Sequence, residues 1–135
     1  MPPIRVLLAD DHRLFRQGLR QLCEIKGGFL VVGEAENGEQ AVRLARQLKP
    51  DVILMDIRMP LMNGLEAILL IRQENPAARI IILSMYPQDR RERDASGAGA
   101  NAYLTKVIDV QELVRTVRAV HGGETFPNPY RAPKV

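Results

Sequence analysis

The chain has 135 residues, the length of one ordinary domain, and 46% of them are hydrophobic, enough to build a core. Aromatic residues are only 4%, so that core must be aliphatic. The formal charge of +3, from 19 basic and 16 acidic residues, is too small an excess to argue for nucleic-acid binding by itself, and the single cysteine, Cys23, excludes an internal disulfide.

No apolar run approaches the roughly 18 residues of a membrane span. The opening Met1-Pro2-Pro3 lacks the charged and apolar regions of a signal peptide. The expectation is a soluble cytoplasmic protein with no membrane contact.

In chain order, a first aliphatic run, Ile4–Ala9, predicts a strand, followed by a helix with Leu14, Leu19 and Leu22 on one face and Phe15 alongside. Cys23 falls on this helix as a small buried apolar residue. Leu30–Ala35 predicts a second strand. Asn37-Gly38-Glu39-Gln40 then opens a helix lined by Ala41, Leu44, Ala45 and Leu48. Val52–Met55 predicts a third strand. Asn63-Gly64-Leu65-Glu66 has the form of a capping box and opens a helix bearing Leu65, Ile68 and Leu69. Ile80–Leu83 and the weaker Ala102–Leu104 predict strands four and five. Asp109-Val110-Gln111-Glu112 starts a last helix, with Leu113, Val117 and Val120 on one face, and Gly122-Gly123 ends it. From Thr125 to Pro133 the sequence reads as an extended, proline-stiffened linker.

Alternation of strand and helix implies a doubly wound α/β fold: a five-stranded parallel sheet with helices on both faces. Such sheets carry their sites at the carboxyl ends of the strands. Asp10 and Asp11 follow strand 1, Asp56 follows strand 3, Ser84 ends strand 4 and Lys106 follows strand 5. Three carboxylates at one edge repel one another, and a hard divalent cation, Mg²⁺ or Mn²⁺, removes the conflict. The chemistry this suggests is phosphoryl transfer, with Asp56 supplying the attacking oxygen to give an acyl phosphate. Asp11 would bind the metal directly, Asp10 would bind through the metal or its water, and the Arg58 backbone carbonyl would complete the protein ligands. Lys106 would pair with the phosphoryl group, and the Ser84 hydroxyl would donate to another of its oxygens. His12 and His121 have no second histidine at ligand spacing, so His12 is read as a loop residue near the metal edge and His121 as a surface residue.

Several stretches carry a resemblance: Leu8-Ala9-Asp10-Asp11-His12, Leu54-Met55-Asp56 continuing to Met59-Pro60 and Met62-Asn63-Gly64, Ile82-Leu83-Ser84-Met85-Tyr86, and Gly99-Ala100 with Tyr103-Leu104-Thr105-Lys106. Over residues 4–123 the chain resembles the receiver domains of bacterial two-component response regulators. Asp-Asp-His followed by Leu-Phe-Arg-Gln-Gly-Leu, with Ser-Met-Tyr, is similar to the NarL/LuxR-type subfamily. The resemblance implies a flavodoxin-like fold with strand order 2-1-3-4-5, a receiver domain over residues 3–123, and a linker over 124–135 toward a C-terminal helix-turn-helix DNA-binding domain absent from this chain. It implies a phosphoacceptor, not an enzyme acting on a separate substrate. A sensor histidine kinase would be the donor, and transcription through the DNA-binding domain the output. It also implies a switch, in which Ser84 moves toward the phosphate and Tyr103 turns inward, with Arg58 and Tyr86 flanking the acyl phosphate.

Two departures stand out. Val107 follows Lys106 where many receivers have proline, so no cis bond is predicted there. Residues 87–98, the place of a fourth helix, contain no large aliphatic or aromatic residue, which predicts either a short, frayed or displaced segment or a helix held by Ala95 and Ala98 alone. A homodimer would then form through helix 1 and the last, fifth, helix. The alternatives are a degenerate receiver serving only as a dimerisation module, and a flavin or dinucleotide enzyme on a similar sheet. The latter requires a glycine-rich loop where this chain has Ala9-Asp10-Asp11-His12-Arg13.

Overall fold

The computed structural model describes residues 2–85, 99–107 and 109–124. Its elements are β1 (Arg5–Ala9), α1 (Arg13–Gln21) running into one π-helical turn (Leu22–Lys26), β2 (Leu30–Ala35), α2 (Gly38–Leu48), β3 (Val52–Asp56), α3 (Gly64–Glu74), β4 (Ile80–Ser84), β5 (Ala102–Thr105) and α4 (Val110–His121). The strands form one parallel sheet in the order β2-β1-β3-β4-β5. This is the expected fold. Residues 87–98 and all of the expected linker except Glu124 lie outside the described residues, as does Tyr86.

The aliphatic runs are continuous because both faces of the sheet are covered. Side chains alternate between the faces along each strand. Leu7, Ala9, Ile53, Met55, Ile80, Ile82 and Tyr103 pack against Ala41 and Val42 of α2 and Leu65, Ile68 and Ile71 of α3. Val6, Leu8, Val52, Leu54, Ile81, Leu83 and Leu104 face the other way, onto Leu19 of α1, Cys23, and Leu113, Val117 and Val120 of α4. Each fully buried aliphatic side chain contributes about 1.5–3 kcal/mol of transfer free energy.

The helix faces differ from expectation at two leucines. Leu14 is 82% exposed, and Arg16 is buried on α1 in its place. Leu69 on α3 is also exposed, while Ala67 and Ile71 are buried. In both helices the sheet meets the face one or two residues away from the leucine spacing.

Helix starts follow the sequence signals. Asn63 and Glu66 close a full capping box at α3, with Glu66 N–H donating to Asn63 Oδ1 at 2.9 Å and Asn63 N–H donating to Glu66 Oε1 at 3.3 Å. Asn37 caps α2 by accepting from Gln40 N–H at 2.8 Å, and Asp109 caps α4 by accepting from Gln111 N–H at 3.2 Å. All peptide bonds among the described residues are trans, including that after Lys106. No described helix is long and apolar enough to cross a membrane.

Candidate functional site

The site is made where three strands stop. β1 ends at Ala9, and the ladder continues one residue further, because Asp10 N–H donates to the Ala35 carbonyl of β2 at 2.9 Å. That bond aims the Asp10 side chain over the sheet edge. Asp56 is the last residue of β3, paired in register with Leu83 of β4. Gly64 N–H donates to the Ile57 carbonyl at 2.8 Å and brings the start of α3 hard against the Asp56 backbone. A Cβ at Gly64 would collide with the Asp56 carbonyl, so the approach requires glycine. Lys106 follows β5, and its N–H donates to the Ser84 carbonyl at 2.9 Å, which fixes its backbone against the end of β4.

These strand ends converge. Lys106 Nζ stands 2.7 Å from Asp10 Oδ2 and 3.1 Å from Asp56 Oδ2, and all three side chains are nearly enclosed. The ammonium also lies 4.7 Å from the centroid of the Phe15 ring of α1, a cation–π distance. One oxygen each of Asp10, Asp11 and Asp56, together with a ring nitrogen of His12, lie within 4.8 Å of one another. Arg58 N–H folds back to donate to Asp56 Oδ1 at 3.3 Å. Ser84 is buried at the end of β4, in register with Thr105. Tyr103 is 2% exposed and already turned inward, in the cluster beneath α2 and α3.

Burial pushes the Asp56 carboxyl up to about 6, and Asp10 adds to the rise; Lys106 and the Arg58 N–H oppose it. Burial alone would lower the Lys106 ammonium, but Asp10 and Asp56 outweigh it and hold the group above its ordinary value. The pocket thus gathers three carboxylates around one ammonium. The excess of negative charge, presented mainly as oxygen, is a donor set that a divalent cation fits. The pocket can bind a metal ion.

Two contributors were not legible as such in the sequence. Arg16 is buried, with Nη1 donating to the Asp10 carbonyl at 2.5 Å and Nε donating to Glu34 Oε1 at 2.8 Å. Arg20 donates to the second Glu34 oxygen at 2.6 Å. Arg16 therefore ties α1 and β2 to the peptide that carries the acid pair. An arginine within a helical repeat reads as a solvated residue, and no spacing rule marks it otherwise. His12, read as a loop residue near the metal edge, stands among the acids there.

A site of paired acids, a third acid and a lysine at the carboxyl edge of a 2-1-3-4-5 sheet defines a class of signalling α/β domain. The sequence model of the response regulator receiver domain matches residues 6–118, and the chain belongs to that family. It is 39% identical over 127 residues to the response regulator GacA of Pseudomonas aeruginosa, covering 93% of this chain and 59% of that protein. To the nitrate/nitrite response regulator protein NarL of Escherichia coli it is 38% identical over 122 residues, covering 90% of this chain and 56% of that protein. The chain thus spans little more than half the length of these relatives. Among solved structures, a LuxR-family two-component response regulator from an Aurantimonas species superposes with a TM-score of 0.83 at 40% identity, covering 91% of this chain and 88% of that one. The signal receiver domain of the putative response regulator NarL from Mycobacterium tuberculosis superposes with a TM-score of 0.85 at 32% identity, covering 92% of this chain and 100% of that one. The NarL/LuxR-type resemblance of the sequence holds.

Proposed function

We propose that Asp56 is the phosphoacceptor of this receiver domain, taking its phosphoryl group from a phosphohistidine of a sensor kinase. The observation that carries this reading is Lys106 Nζ seated between Asp10 and Asp56 at 2.7 and 3.1 Å, drawn from three strand ends far apart in sequence. An Asp56 oxygen attacks phosphorus as the donor's P–N bond breaks. The bonding pair leaves with the imidazole, and an acyl phosphate results. Lys106 pairs with a phosphoryl oxygen, and the Ser84 hydroxyl donates to another.

Asp10, Asp11, Asp56 and the Arg58 carbonyl are the residues that would hold Mg²⁺. When bound, the cation supplies neutralisation of the charge on the phosphoryl oxygens. Asp10, enclosed and tied to Lys106, keeps that ammonium oriented toward the acceptor. Tyr103 and Ser84 form the switch in this reading. Movement of the Ser84 hydroxyl toward the phosphate would favour an inward Tyr103.

Residues 3–123 are the receiver unit in this proposal, residues 124–135 lead toward a DNA-binding output domain, and the output is control of transcription in the cytoplasm. Relatives such as the transcriptional regulatory protein DegU of Brevibacillus brevis, 36% identical over 126 residues, support that output. The proposed homodimer uses α1 and α4, where the exposed Leu14 borders a groove of about 390 Å³ that Phe15, Leu22 and Leu113 also line.

The test is incubation with Mg²⁺ and acetyl phosphate, followed by intact mass. One added phosphoryl group, absent in Asp56→Ala, is expected. A gain that persists in Asp56→Ala, or no gain with any small donor, defeats the assignment.

A further inference from the structure

His12 is the residue at the acidic rim that the phosphoacceptor chemistry does not use. It is the N-cap of α1, with φ −87° and ψ 99° and no side-chain cap bond. Its backbone N–H donates to Asp10 Oδ1 at 2.8 Å, which turns the ring back over the acid pair. Nδ1 then lies 3.2 Å from Asp10 Oδ1 and 3.3 Å from Asp11 Oδ1. The side chain is 64% exposed, whereas Asp10 is enclosed, so the imidazole stands at the mouth of the pocket.

Those separations are the edge lengths of a coordination shell. Neighbouring ligands each about 2.1 Å from a first-row cation are about 3.0 Å apart in an octahedron and about 3.4 Å apart in a tetrahedron. The distances from Nδ1 to the two carboxylate oxygens fall within that range, and Lys106 Nζ lies 3.4 Å from the same nitrogen. An imidazole nitrogen is a poor ligand for Mg²⁺, which prefers oxygen and water, but it suits Co²⁺, Ni²⁺ and Zn²⁺.

We propose that His12 converts this rim into a mixed nitrogen–oxygen site that binds borderline first-row dications, Co²⁺ and Zn²⁺, through His12 Nδ1 with Asp10 and Asp11. The inference rests on the cation-assisted phosphoacceptor reading above and adds the class of cation that competes for the site. His12 contributes affinity for the borderline ions and little for Mg²⁺. The preference of the pocket between the two classes is therefore set by a side chain at its mouth.

The experiment uses the full chain stripped with chelator. Co²⁺ is titrated by its visible absorption, and Mg²⁺ by calorimetry, in the wild type, His12→Asn and His121→Asn. His12→Asn is expected to weaken Co²⁺ binding about tenfold or more and to shift the absorption band, with Mg²⁺ affinity unchanged within error. His121→Asn, altered far along the chain, is expected to leave both ions unaffected. Equal Co²⁺ affinity in the wild type and His12→Asn overturns the proposal, as does an equal loss for both ions. Phosphorylation by acetyl phosphate with Mg²⁺ separates the two readings. If Asp56 is phosphorylated while Co²⁺ ignores His12, only the role of His12 falls. If there is neither phosphorylation nor binding of either ion, both fall.

Discussion

Lys106 Nζ is closer to Asp10, at 2.7 Å, than to Asp56, at 3.1 Å. The lysine thus bridges two enclosed carboxylates, donating a hydrogen bond to Asp56 and standing in ion-pair contact with Asp10. Removing its charge leaves both acids facing each other. Lys106→Met is expected to cost about 3 kcal/mol in chelator, as breaking a buried pair does, and to recover part of that on adding Mg²⁺. Urea unfolding with and without Mg²⁺ measures this. Equal stability of variant and wild type in chelator would refute it. Lys106→Arg is expected to restore little, because a planar fork cannot take the place of a compact ammonium between two carboxylates.

Asp56 contributes the opposite sign. Its carboxyl is pushed up to about 6 by burial, so the folded state holds a proton that the unfolded chain has already released between the ordinary aspartate value and that pH. Stability therefore falls as pH rises through this window. In chelator, Asp56→Asn is expected to be more stable than the wild type by about 2 kcal/mol at neutral pH, with the advantage gone near pH 4. Thermal unfolding across pH reads this. A variant less stable than the wild type at pH 7 would count against the burial of Asp56.

Arg16 makes a prediction about acid. Burial raises the Glu34 carboxyl, but the hydrogen bonds from Arg16 and Arg20 outweigh it and hold the group below its ordinary value. The stabilisation is present above the ordinary glutamate value and is lost as pH falls through the lowered one. Arg16→Met is expected to lose about 2–3 kcal/mol at pH 7, since the Asp10 carbonyl and Glu34 both lose a charged donor. It should also flatten the acid limb of the stability curve. An acid limb as steep as that of the wild type would show that Glu34 owes nothing to Arg16.

Two glycines should respond oppositely to alanine. At Gly64 a Cβ meets the Asp56 backbone, so Gly64→Ala is expected to cost about 2–3 kcal/mol and to slow phosphorylation by displacing Asp56. Gly18 lies within α1 with nothing within reach of a Cβ, and Gly18→Ala is expected to stabilise by about 0.5–1 kcal/mol. Denaturant midpoints check both.

Cys23 is fully buried, and burial pushes its thiol up to about 12. Native protein at pH 8 should resist iodoacetamide, while unfolded protein reacts. Rapid alkylation of the native state would mean that the contact between the π-helical turn and α4 opens readily.

The sequence by itself determined the order of elements, the sheet and the edge that carries the chemistry. Short, β-branched aliphatic runs alternating with helical segments suit strands covered on both sides, and a doubly wound parallel sheet collects whatever follows its strands at one rim. Asp10, Asp11, Asp56, Ser84 and Lys106 were therefore legible as neighbours before any coordinate. Tertiary structure alone decided that Lys106 bridges Asp10 and Asp56, that Arg16 rather than Leu14 faces inward, that Tyr103 rests inside, and how closely the His12 ring approaches the acids. Each of these depends on how a helix is rotated against the sheet or how a loop folds over its own strand. Hydrophobic periodicity fixes such a rotation only to within a residue or two. A buried arginine or a rim histidine has the same local sequence as a solvated one, because its partners, Glu34 on a neighbouring strand or Lys106 from the far end of the chain, come from elsewhere.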